Sequence, residues 1–201
     1  MRPEFRSAQI GFAALCGALL TGCLLKTTTV TTRHFVLAPM PVERAAPPNE
    51  RLSVEVGFVK MPAYLLHDSI VVRSTATEIT YLEDGQWCER LDHCLERTIA
   101  INLSQLLPSD NASGQHETHV KVFVIVQQFD VDTGGAGTLI AQWRTTFGDN
   151  VRAKSGQARF TRPGAAPRGN PDAIARTMSE LTADLSRELA RSIRESGNGN
   201  S

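Results

Sequence analysis

The spacing of apolar residues changes several times along this chain, and each change marks an element. Residues 10–20 are apolar and uncharged, too short a run for a bilayer core of about 30 Å, which needs roughly 20 apolar residues. Residues 33–37 read as a short strand, ended by Pro39 and Pro41, and Pro47 and Pro48 mark a loop over 43–49. Residues 52–59 alternate through Val54 and Val56, with Phe58 out of pattern, and stop before Pro62. Residues 62–66 fit one helical turn or a tight loop. Two short strands follow at 69–73 and 78–82, with Glu83-Asp84-Gly85 supplying turn chemistry after the second.

The period then becomes helical. Leu91, Leu95, Thr98, Ile99, Asn102, Leu103 and Leu106 share one face of a helix over 91–107, which Pro108 ends. Residues 119–131 form the strongest strand, with Val120, Val122, Val124 and Val126 on one side and Phe123 and Ile125 on the other. Apolar residues on both faces predict a central strand. Gln127-Gln128 breaks the alternation as a bulge does. Asp132 to Gly135 turns the chain, and Leu139, Ala141, Trp143, Thr145 and Phe147 alternate on a return strand, giving a long antiparallel hairpin. A weaker strand spans 151–160, and a Pro/Gly/Arg-rich loop spans 161–170. Ile174, Met178, Leu181, Leu185, Leu189 and Ile193 then step by three or four along a last helix to about Glu195. Strands, helix, meander and helix in that order predict an α+β fold: a mainly antiparallel, mixed sheet with two long amphipathic helices packed on it.

The first apolar run has further meaning. Arg2 and Arg6 precede it and Leu20-Thr21-Gly22-Cys23 closes it, the three parts of an export signal. The closing tetrapeptide resembles the lipobox of bacterial lipoproteins. That resemblance implies cleavage of the Gly22-Cys23 bond, a diacylglyceryl group on the Cys23 sulfur and acylation of the new amino group. One acyl chain holds a protein only marginally on a membrane, whereas two or more anchor it. The expected organisation is a signal over 1–22, an acylated tether over 23–32, a single α+β domain over 33–196 and a disordered tail over 197–201. The tether reaches roughly 30 Å when extended, so the domain stands close to the bilayer.

Composition narrows the chemistry. The formal net charge is zero over 201 residues, so no basic excess points to nucleic acid. With Cys16 in the signal and Cys23 as anchor, only Cys88 and Cys94 remain, in a compartment where disulfides persist. They read as a disulfide, as two buried free thiols, or with His93 as part of a zinc site. The spacing suits no standard zinc knuckle. Gly134-Gly135-Ala136-Gly137 lacks the Lys-Ser/Thr of a phosphate loop and reads as a hairpin turn. No serine has a nucleophile-elbow setting, and nothing else assembles a catalytic set. Tyr64, Leu65 and Leu66 make the best candidate for an exposed apolar contact, because their loop is too apolar for an ordinary solvated one.

The sequence of pieces resembles the auxiliary lipoproteins of ABC-type and MCE-type transport systems. The matching segments are the lipobox; His34-Phe35-Val36-Leu37; Val54-Glu55-Val56-Gly57 leading to Met61-Pro62-Ala63-Tyr64-Leu65; and Trp87 before the helix with Leu91 and Leu95. Phe129-Asp130, the alternating Leu139, Ala141 and Trp143, and the last helix with Met178 and Leu185 complete it. Cys88 and Cys94 stand outside this pattern. The resemblance implies a non-enzymatic subunit without a cofactor, working in intermembrane lipid transport. Its implied partners are an MCE-domain protein, ABC or integral membrane components, phospholipid, and further copies of itself. Leu24 stands where Asp commonly retains such proteins in the inner membrane, which implies outer-membrane placement facing the periplasm. The rival reading is an envelope-integrity lipoprotein unrelated to transport. If Cys23 is the anchor, Cys23→Ser abolishes incorporation of labelled palmitate and moves the protein out of the membrane fraction; undiminished labelling contradicts the assignment.

Overall fold

The computed structural model describes residues 31–41, 52–107, 118–148, 152–164 and 169–197. Gly22, Cys23, the signal, nearly all of the tether, the loop expected at 43–49, residues 108–117 and the last four residues lie outside them. The compact unit Thr32–Ser201 contains every described element. These are β1 (Arg33–Phe35), β2 (Leu52–Lys60), a 3-10 turn (Ala63–Leu66), β3 (Ser69–Arg73), β4 (Ile79–Trp87), α1 (Leu91–Leu106), β5 (Thr118–Asp132), β6 (Gly137–Phe147), β7 (Arg152–Arg162) and α2 (Pro171–Gly197).

The strands form one mixed seven-stranded sheet in the order β1-β4-β3-β5-β6-β7, with β2 paired to β5. β5 is long enough to serve two partners on one edge. Its first half pairs in parallel with β2, and its end pairs in parallel with β3 at Val72 and Arg73. On its other edge β5 forms the expected antiparallel hairpin with β6, and β7 extends it. The fold class is therefore the α+β arrangement the periodicity predicts. The parallel pairings of β1 with β4 and β2 with β5 were not legible, because they join segments that are distant in sequence.

Both helices cover the same sheet face. α2 touches β4, β1, β5, β6 and β7, and α1 lies on β2 and against α2. The predicted stripe of α2, from Ile174 to Ile193, is buried throughout, as are Val120, Val122, Val124, Val126, Leu139 and Trp143 of the sheet beneath. Each such aliphatic side chain contributes about 1.5–3 kcal/mol by leaving water. Among the described residues no helix is long and apolar enough to cross a membrane.

Two expectations need correcting. Glu83-Asp84-Gly85 is not a turn but the body of β4, where Gly85 pairs with Arg33. The glycine serves packing: a Cβ there would stand 2.7 Å from Pro171 Cβ, at the start of α2. β1 is also shorter than predicted and ends at Phe35, because the chain then leaves the sheet and passes between the helices.

That passage is built from hydrogen bonds to both helices. Leu37 is fully buried; its N–H donates to Cys94 Sγ at 3.2 Å, and its carbonyl accepts from Thr98 Oγ1 at 3.3 Å. Ala38 N–H donates to Ser179 Oγ at 3.0 Å. Met40 N–H donates to Asn102 Oδ1 at 2.8 Å, while Asn102 Nδ2 donates to Ser186 Oγ at 3.0 Å. Ser186 in turn donates to the Thr182 carbonyl at 2.8 Å. Asn102 has 0% exposure, so deleting its amide leaves Met40 N–H without a partner away from water. Asn102→Ala is expected to lower unfolding free energy by about 3 kcal/mol in chemical denaturation, combining lost bonds with an unsatisfied donor; a change below about 1 kcal/mol contradicts the clamp.

Candidate functional site

Among the described residues no helix lies on the sheet's other face, and two bulges decide which side chains it presents. In β2 the register against β5 shifts between Val56 and Phe58. Without that shift Phe58 would point toward the helices, two places after Val56. The extra residue, Gly57, turns Phe58 and Lys60 outward and returns Val59 to the core. Gly57 also leaves space for the Phe123 ring, since a Cβ there would fall 2.5 Å from it. In β5 the shift between Val126 and Gln128 does the same for Gln128 and Asp130, while Phe129 and Val131 stay inside.

The first bulge produces an apolar groove. Phe58 and Phe123 stack at a tilt with centroids 4.9 Å apart, and Ile125 stands beside them with 47% of its surface exposed. Gln142, Arg144 and Thr146 of β6 with Ser155 and Gln157 of β7 complete a cavity of about 780 Å³. Lys60 Nζ lies 5.1 Å from the Phe58 ring centroid, a cation-π distance. At one end Lys121 and Glu55 pair at 3.3 Å. Trp143 is core, as expected; a Cβ on Gly156 would meet its indole at 2.4 Å.

The second bulge produces a polar cluster. Asp130 is 2% exposed, and its carboxylate accepts five hydrogen bonds from three side chains. Arg73 Nη2 donates to Oδ2 at 2.5 Å and Arg73 Nε to both oxygens at 3.1 Å. Tyr64 Oη donates to Oδ2 at 2.9 Å, and Gln128 Nε2 to Oδ1 at 2.8 Å. A buried carboxylate so paired costs about 3–5 kcal/mol to orphan. The cluster pins the 3-10 turn across the end of β5.

This settles where the predicted contact loop stands. Tyr64 is half-buried with its hydroxyl bonded to Asp130, Leu65 is 2% exposed in the core and Leu66 is partly buried. The turn's apolar residues are needed inward, so the expected exposed patch at Tyr64, Leu65 and Leu66 is not present as such. Among the described residues the large apolar side chains left exposed are Val36, Tyr81, Phe58 and Ile125, and of these Phe58 and Ile125 stand together on the sheet. The signal of that pair in the sequence was Phe58 out of pattern and Ile125 on the second face of an apolar strand.

The cysteines are separate. Cys88 and Cys94 are both free thiols, Cys88 exposed at the end of β4 and Cys94 buried in the first turn of α1. Burial pushes the Cys94 thiol pKa up, against the opposing effect of the Leu37 N–H. Such a thiol is a poor nucleophile at neutral pH. Among the described residues no group of three or more His, Cys, Asp or Glu side chains could hold a metal ion.

Tyr64 gives the cluster a titration signature. Burial first, and the Asp130 charge and hydrogen bond next, push its phenol up to about 12. The unfolded phenol titrates near 10, so the folded state holds its proton longer. The stabilisation is complete below about pH 10 and fades as pH rises toward 12. The sequence has two tyrosines, so the difference in phenolate absorbance between wild type and Tyr64→Phe isolates Tyr64. Tyr64→Phe should remove the component titrating at about 12; loss of a component near 10 instead contradicts the buried contact to Asp130.

Comparison with known proteins adds to this geometry. Among solved structures, an uncharacterised protein aligns with a TM-score of 0.66 and 19% identity, covering 81% of this chain and 99% of its own. A Xanthomonas campestris protein of the DUF330 family aligns at 0.60 and 17% identity, covering 80% and 92%. At these identities the likeness speaks for the fold. No curated protein matches the chain. Residues 35–190, from the end of β1 to the last turns of α2, match the family described as "ABC-type transport auxiliary lipoprotein component". This chain belongs to that family of lipoprotein components auxiliary to ABC-type transport.

Proposed function

We propose that this protein is a lipid-anchored periplasmic subunit of an MCE/ABC-type intermembrane lipid transport system. It docks the transport conduit to the outer membrane through acyl chains on Cys23. The observation that carries the proposal is the family match over residues 35–190, directly preceded in sequence by the lipobox and its short tether. The working elements would be simple. Acyl chains on Cys23 fix position, the tether keeps the domain within roughly 30 Å of the bilayer, and the sheet offers a surface to a partner.

The division of the domain into two faces supports this reading. One face is spent on the helices and on the segment clamped between them. The other, over β2, β5, β6 and β7, is left uncovered by the described residues and carries exposed aromatic and aliphatic side chains. Exposed apolar surface rimmed by polar groups marks contact sites more often than solvated ones. An MCE-domain protein, an ABC or integral membrane component and further copies of the chain are the partners proposed.

Co-purification tests the reading. Wild-type protein and Cys23→Ser should both retain an MCE-domain partner, the variant from the soluble fraction and the wild type from the membrane. Failure of both forms to retain it contradicts docking and favours an envelope-integrity role.

A further inference from the structure

We propose that the groove over Phe58, Phe123 and Ile125 is a binding site for one acyl chain of an anionic phospholipid, with Arg144 and Lys60 meeting the phosphate. The assignment rests on the transport reading above and deepens it by giving the subunit its own lipid site.

Three observations carry it. The first is size and lining. A cavity of about 780 Å³ with an apolar floor and a few polar groups at its rim falls within the 300–1,000 Å³ range of small-molecule sites. A stable protein partner would need about 800 Å² from each side, spread well beyond this groove. The strands under its centre, β5 and β6, are hydrogen-bonded on both edges. A peptide could not add as a strand there, so the floor offers side chains only.

The second is charge. Among the described residues, Lys60, Arg144, Lys121 and, by strand alternation, Arg159 stand on this face around the groove, against Glu55; Asp130 lies farther along β5 and is taken by Arg73. Glu55 is taken by Lys121. No ion pair engages Lys60 or Arg144 among the described residues, and Lys60 rests on the Phe58 ring. An apolar trough flanked by uncompensated cations complements a molecule with an apolar chain and an anionic head. A guanidinium is well matched to a phosphate, which it can meet through two parallel N–H groups.

The third is Thr146. It lines the groove, is 4% exposed, and its Oγ1 has no hydrogen-bond partner among the described residues. Buried polar groups without partners are rare. A hydroxyl left open beside Arg144 is suited to accept or donate one bond to a ligand's ester or phosphate oxygens.

The test uses the full-length protein solubilised in a mild detergent and offered phosphatidylglycerol or phosphatidylcholine of equal chain length, with retained lipid counted by mass spectrometry. Wild type should retain about one phosphatidylglycerol per chain. Ile125→Asp, which puts a charge in the trough at an already exposed position, should lower retention of both lipids about tenfold. Arg144→Glu should lower phosphatidylglycerol about tenfold and leave phosphatidylcholine nearly unchanged. Circular dichroism melting within a few degrees of wild type confirms that each variant is folded; both positions are on the surface, so either suffices if the other unfolds. Equal phosphatidylglycerol retention by wild type and both folded variants overturns the site. So does a loss of the MCE-domain partner in Ile125→Asp with lipid retention unchanged, which makes the groove a protein contact. If lipid retention is unchanged and the partner is still held, the lipid site alone fails and the docking function stands.

Discussion

Asn102 ties together three segments that the sequence keeps far apart. Its amide oxygen receives the Met40 N–H, and its amide nitrogen reaches Ser186 on the last helix. The residue sits in a helix stripe otherwise made of leucine, isoleucine, cysteine and threonine. An apolar residue there would fill the space but leave the Met40 backbone donor stranded between two helices, at a cost comparable to a lost core contact. The polar side chain is therefore what lets an extended segment lie inside the helix layer. Thr98, Ser179 and Cys94 serve the same segment. The small and polar residues on the facing helix sides become intelligible as its lining.

This clamp has a functional side. The clamped residues follow β1, and β1 follows the proposed anchor and its tether in sequence. Any pull through the tether would meet the edge of the sheet at β1, whose three residues pair with β4, and then the clamp. Arg33–Phe35 alone would be a weak hold, since so short an edge strand makes few ladder bonds. The buried donors behind it distribute the load into α1 and α2. The sheet face opposite the helices is left out of this construction, and its exposed side chains can be met by other molecules.

Much of this was legible in the sequence, for definite physical reasons. Long elements with a clear period, α2 and the β5–β6 hairpin, show where they are buried because one period over many residues leaves little ambiguity. The bulge at Gln127-Gln128 was visible as a broken alternation. The bulge at Gly57 left a trace too, in Phe58 standing out of phase, although its consequence, an outward aromatic pair, needed the register against β5. What the sequence withheld depends on distant partners. Gly85 carries the marks of a turn but answers to Pro171 across the sheet. Leu37 looked like the end of a strand and is the centre of the clamp. Tyr64, Leu65 and Leu66 looked exposed because nothing local could bury them; Asp130, placed by a bulge many residues later, and α1 do so.

The same logic separates what the chain needs for folding from what it offers outward. The Arg73–Asp130–Tyr64 cluster is polar but closed, with its donors and acceptors spent on one another. The Phe58–Phe123–Ile125 groove is apolar but open. Family membership places the protein beside ABC-type transport, and the clamp is the feature that would make an anchored domain of it rather than a loosely leashed one. Amide hydrogen exchange on the full-length protein tests this most directly. The account predicts that Met40 N–H exchanges as slowly as the amides of β5, releasing only with global unfolding. Exchange at the rate of an unprotected strand end would contradict it.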